Sequence, residues 1–263
     1  MAGIYIHIPF CKQACHYCDF HFSTSLHKSD AMLGAICKEL ILRKKELTRP
    51  IETIYFGGGT PSLLSPLQID LVLQTVYDNF TVVDSPEITL EANPDDLTDA
   101  KISALASSKI NRLSIGIQSF FEEDLKLMNR AHNQAEALDC ITNAKQYFKN
   151  ISIDLMYGIP QMSPQRWQEN VEKALSLKVP HISCYVLTVE PKTALERFIK
   201  KGIIRPVDDA VAAKHHAVLV EKTAAVGYHN YEFSNFCSPG WESQSNSSYW
   251  TRKPYLGVGP SAH

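Results

Sequence analysis

The chain of 263 residues contains no apolar run approaching the roughly 20 residues a membrane-spanning helix needs, and no signal-peptide pattern precedes the first strand-like run, so no transmembrane segment is expected. Internal repeats and low-complexity segments are absent. So is a charge imbalance: the formal net charge is -2, with lysine and arginine scattered along the chain, which leaves no electrostatic footprint for nucleic acid. Cysteine is scarce and odd in number, seven in all, which argues against a disulfide framework and suits a reducing compartment, with the cytoplasm the expected location. Paired Cys-x-x-Cys knuckles of the kind zinc sites use are missing as well. Cys37, Cys140, Cys184 and Cys237 stand singly among apolar residues and read as packing.

The 44% hydrophobic content is enough to bury one large core. Short β-branched runs (Gly3 to Ile8, Glu52 to Phe56, Glu87 to Ala92, Arg112 to Ile117, Ile151 to Tyr157, His181 to Leu187) alternate with amphipathic stretches such as Ser29 to Leu47, Ser65 to Phe80, Asn133 to Phe148 and Ser163 to Leu177. Six β/α units predict an α/β fold with parallel strands and right-handed crossovers, curled into a partial barrel. Ligands of such sheets bind at the C-terminal ends of the strands. After about residue 205 the pattern changes. Asp208 to Val226 reads as one more helix, and the aromatic-rich remainder to His263 as an appended module, so the expected division is 1–205 and 206–263.

The densest chemistry follows the first strand. Cys11, Cys15 and Cys18 stand at C-x3-C-x2-C spacing, and three thiolates suit three irons of a cubane, leaving the fourth iron open to a ligand. Gly57-Gly58-Gly59-Thr60-Pro61 follows the second strand, where glycines allow a ligand close to the backbone. Glu91, Gln118 and Asp154 lie at or near other strand ends, and Arg130 on the following helical stretch; such polar groups are expensive to bury without a purpose.

With Tyr17 before the third cysteine, the motif resembles the radical S-adenosylmethionine superfamily. Tyr5-Ile6-His7-Ile8-Pro9-Phe10-Cys11 and Tyr55-Phe56-Gly57-Gly58-Gly59-Thr60-Pro61-Ser62 narrow the resemblance to the oxygen-independent coproporphyrinogen III oxidase branch and its relatives, the heme chaperones of the HemW type. It runs along nearly the whole chain and implies a partial (β/α)6 barrel. It also implies a [4Fe–4S] cluster on Cys11, Cys15 and Cys18, and S-adenosylmethionine bound at its open iron. By the same resemblance Gly58, Gly59 and Thr60 hold the methionyl amine, Gln118 and Arg130 the carboxylate, and Glu91 and Asp154 the sugar and amino groups. Tyr5 lies beside the sulfonium, Tyr17 near the adenine, and Thr188 in the adenine pocket.

Two departures separate the branches. The oxidases carry a further cysteine two residues after the third ligand, where this chain has Phe20, and an N-terminal extension; here the first strand begins almost at Met1. Both favour the chaperones. Those relatives carry a His-Asn-x-x-Tyr-Trp signature linked to heme, whereas this chain reads Ser245-Asn246-Ser247-Ser248-Tyr249-Trp250, and serine does not ligate heme iron as imidazole does. His181, His229 and His263 are the substitutes within reach. The sequence stops at Gly257-Val258-Gly259-Pro260-Ser261-Ala262-His263, an interior segment in relatives, so a shortened form is expected.

The expected function is therefore a heme carrier that passes heme to hemoproteins. The alternative is an oxidase that decarboxylates coproporphyrinogen III propionates to vinyls, fed by an electron donor such as flavodoxin or ferredoxin.

Overall fold

The structure, a computed structural model, describes residues 1–262. Strands and helices alternate as β1 (Ala2–Ile8), α1 (Ser29–Arg43), β2 (Ile51–Gly58), α2 (Pro66–Asn79), β3 (Val82–Ala92), α3 (Asp99–Ala106), β4 (Arg112–Gln118), α4 (Glu122–Met128), α5 (Gln134–Tyr147), β5 (Asn150–Tyr157), α6 (Pro164–Ser176), β6 (His181–Val186), α7 (Ala194–Lys200), α8 (Asp209–Ala225), β7 (His229–Asn230), β8 (Asn235–Cys237), α9 (Gln244–Trp250) and β9 (Tyr255–Val258). One sheet holds all the strands in the order β7-β8-β6-β5-β4-β3-β2-β1-β9. Its central six pair in sequence order and parallel, the partial (β/α)6 barrel.

The strands alternate. In β4 the residues Leu113, Ile115 and Ile117 are buried in the hydrophobic core, while Arg112, Ser114 and Gly116 line a cavity on the other face. The same period of two puts Ile153 and Leu155 in the core and Asp154 and Met156 at the cavity, and does so again for Cys184 against Ser183 and Tyr185. The convex face is therefore apolar and packed on helices, and the concave face is polar.

Helix starts follow capping chemistry: Ser65 and Asn133 close capping boxes with Gln68 and Glu136, and Ser163 and Asp208 accept backbone N–H bonds at the heads of α6 and α8. Trp167 of α6 is fully buried and donates its indole N–H to the carbonyl of His215 on α8 at 2.7 Å.

Beyond residue 205, β8 pairs antiparallel with β6, and β9 pairs parallel with β1. The stretch expected as an appended module thus adds strands to both edges of the same sheet. Helix α9 is held by Glu87 of β3, whose carboxylate accepts the N–H groups of Gln244 at 3.1 Å and Ser245 at 3.0 Å.

Candidate functional site

The loop from Cys11 to Cys18 is pinned from several sides. Cys11 N–H donates to Ser23 O at 3.1 Å, and His16 N–H donates to Met128 O at 3.0 Å. Asn129, in the left-handed conformation at the end of α4, donates from its side chain to Ala14 O at 2.7 Å and accepts from Gln13 on its own carbonyl at 2.9 Å. The C-terminus of α4 thereby places both the cysteine loop and the next residue, Arg130.

The β2 glycines close the other wall. Gly59 N–H donates to Ile8 O, and a Cβ on Gly59 would stand 2.6 Å from Phe10 O, so any side chain there would force apart the segments that leave β1 and β2. Gly58 has a φ of 110°, a conformation glycine adopts without strain. Thr60 follows, buried at the cavity wall.

Together these segments bound a cavity of about 500 Å³ at the C-terminal ends of the strands. Cys11, Cys15, Cys18, Tyr17, Gly58, Gly59, Thr60, Glu91, Gln118, Arg130, Asp154 and Thr188 all line it. Tyr5 is the exception. Its ring stacks on Tyr55, its hydroxyl lies 3.2 Å from His7 Nδ1, and it faces a second, small cavity of about 20 Å³ shared with Ser245, Tyr249 and Tyr255.

The electrostatics are those of a site built for charged ligands. Burial raises the Glu91 carboxyl to about 7, against the hydrogen bond its Oε1 accepts from Tyr55 at 2.8 Å, and raises Asp154 to about 6, against the pull of Arg112. Arg130 donates to Asn93 Oδ1 at 2.5 Å and Gly116 O at 2.8 Å, and its Nη1 lies 3.4 Å from Cys15 Sγ, while its Nε has no partner. Gln118 has a φ of 67° where the β4–β5 register shifts, a strained conformation that directs its side chain into the cavity.

The three cysteines fit a metal cluster by donor chemistry. All are free thiols, none in a disulfide, and they share one cavity. Burial pushes the Cys11 thiol up and the Cys18 thiol up to about 11, so the protein alone favours the neutral thiols; a bound metal cation is what would hold them as thiolates.

The motifs assign no site role to Tyr55, Asn93, Arg112, Ser114, Ser183 or Tyr185, which also line the cavity. Arg112 is the most telling of these: it is 2% exposed and its Nε has no partner. The available signal was the polar-apolar alternation along Arg112 to Gln118, a pattern unsuited to a strand buried on both faces.

The histidines considered for heme are placed differently from one another. His181 is fully buried with both ring nitrogens engaged, Nδ1 with Ser152 Oγ at 2.7 Å and Nε2 with Tyr231 at 2.8 Å, so it is a satisfied core residue. His229 sits at the sheet edge, paired with Glu242 at 2.8 Å. His263 lies outside the described residues. Ser245 is buried and lines the small cavity, whereas its neighbour Asn246 reaches the large one.

The chain is similar to several known proteins in sequence and in fold. The family model of the radical SAM superfamily matches residues 5–174. Heme chaperone HemW of Bacillus subtilis is 37% identical over all of this chain, which covers 70% of that protein; HemW of Mycobacterium tuberculosis is 35% identical, with 99% and 68% covered. Radical S-adenosyl methionine domain-containing protein 1, a mitochondrial protein of Danio rerio, is 35% identical over all of this chain, which covers 60% of it. Among solved structures, coproporphyrinogen III oxidase from Escherichia coli superposes with a TM-score of 0.86 at 24% identity, over 99% of this chain and 64% of that one, a likeness of fold.

Proposed function

This chain belongs to the radical SAM superfamily and, within it, to the family of HemW heme chaperones, and from that membership we propose that it binds heme and delivers it to hemoproteins. The observation that carries the reading is the 37% identity to a HemW chaperone along the entire chain, joined to a cavity that gathers three free thiols with Glu91, Gln118, Arg130 and Asp154. Its cofactors are a [4Fe–4S] cluster and S-adenosylmethionine.

In this reading Cys11, Cys15 and Cys18 hold the cluster, which when bound and reduced can supply one electron to S-adenosylmethionine. Arg130 suits the methionyl carboxylate because its planar fork bonds two oxygens, and Gln118 adds a donor beside it. Gly58 and Gly59 give the backbone close approach, and Glu91 and Asp154 accept from amino and hydroxyl groups. Tyr17 and Thr188 border the adenine.

The finer assignments belong to the same proposal: a cytoplasmic setting, which free thiols suit, an electron donor of the flavodoxin or ferredoxin kind, and a hemoprotein recipient. Phe20 stands where the oxidases have a further cysteine, which favours transport over decarboxylation.

The test is to offer the anaerobically reconstituted protein heme and coproporphyrinogen III in parallel. Heme should bind in stoichiometric amount and pass to an apo-hemoprotein, with porphyrinogen unconsumed. Multiple turnovers of porphyrinogen to its divinyl product would overturn the reading.

A further inference from the structure

We propose that the hairpin β7–β8 and the turn after it form a second metal site, outside the barrel cavity, in which His229, Cys237 and Glu242 bind a divalent transition metal of the zinc class. In the antiparallel register of the hairpin His229 stands directly opposite Cys237. The turn at Pro239 and Gly240, closed by the Trp241 N–H on Ser238 O at 3.1 Å, returns the chain so that Glu242 reaches the same point. His229 Nε2 lies 2.8 Å from Glu242 Oε1 and 3.8 Å from Cys237 Sγ, and the three donor atoms all fall within 4.8 Å of one another.

These separations suit one ion. With metal–nitrogen and metal–oxygen bonds of about 2.0 Å and a metal–sulfur bond of about 2.3 Å, tetrahedral angles put nitrogen and sulfur about 3.5 Å apart and nitrogen and oxygen about 3.3 Å apart. The observed pairs bracket those values within about half an ångström, and His229 and Glu242, 42% and 36% exposed in their side chains, have the freedom to make that adjustment. Cys237 is fully buried beneath them, and the Tyr231 ring meets the His229 ring edge-on at 6.2 Å. Thiolate, imidazole and carboxylate together select a borderline-soft ion, and the exposed side offers both an entry path and a fourth position for water. Bound there, the ion would tie the turn carrying Glu242, and α9 just beyond it, to the β6 edge of the sheet through β8.

The experiment loads the cluster-containing protein with one equivalent of zinc sulfate, desalts it and measures both metals. The wild type should retain about one zinc per chain, with the extended X-ray absorption fine structure at the zinc edge showing one sulfur ligand at about 2.3 Å. Cys237→Ser, His229→Ala and Glu242→Gln should each lose most of the zinc while keeping iron and circular dichroism, and Cys37→Ser should keep both metals. If Cys237→Ser fails to fold, the two exposed-residue variants decide. Zinc retained equally by the variants, or not retained by the wild type, overturns the site.

Discussion

Glu91 is a carboxyl whose two possible jobs pull in opposite directions. Its pKa is raised to about 7 by burial, so the folded protein holds this proton more tightly than the unfolded chain, where the group titrates near about 4.3. The stability that follows is fully present below that unfolded value and is lost as pH rises through about 7. Glu91→Gln keeps an acceptor for the Tyr55 hydroxyl and removes the buried charge. The variant should therefore melt several degrees above wild type at pH 8 and at nearly the same temperature at about pH 3.5, below the unfolded value, while binding S-adenosylmethionine more weakly at pH 8. Melting curves at the two pH values and anaerobic equilibrium dialysis check this; a variant less stable at pH 8 would mean the carboxylate is already compensated inside the protein. Glu91 was legible because it ends a strand beside a glycine loop. Arg112 was not, since it begins its strand and reaches the cavity from below; only the two-residue alternation marks it.

At the scale of elements, the long periodic helices and the six central strands were readable, with α5 and α6 differing from expectation by one residue at each end. The elements that escaped are short. β7, β8 and β9 have 2, 3 and 4 residues and α9 has 7, below the length at which a periodic pattern registers, and β8, β9 and α9 are each defined by a partner far away in the chain. Glu87 shows the dependence. It is buried in β3, more than 150 residues before the helix whose first N–H groups it accepts. Charge-assisted bonds of this kind contribute about 1.5–3 kcal/mol, and a negative charge at a helix N-terminus adds to them. Glu87→Ala should lower unfolding free energy by about 2–3 kcal/mol in urea titration and speed hydrogen exchange in α9 ahead of the barrel strands. Unchanged exchange in α9 would show that β9 alone holds the tail.

Across the whole molecule, one sheet faces hydrocarbon on its convex side and ligands on its concave side, and the loops at one end supply the thiols. The position of the cysteine loop was readable from the sequence; what holds it was not, because most of the anchors are backbone groups met across the fold, at the end of α4 and at α7, including Leu195 N–H on His16 O at 2.8 Å. In the proposed function this loop carries a cluster with one iron open to S-adenosylmethionine. The direct measurement is iron content with the electron paramagnetic resonance spectrum of the reduced protein, before and after S-adenosylmethionine is added. About four irons per chain are expected, with a spectrum that shifts on addition, both lost in Cys15→Ala. A Cys15→Ala protein that keeps its four irons and the same shift would contradict that reading.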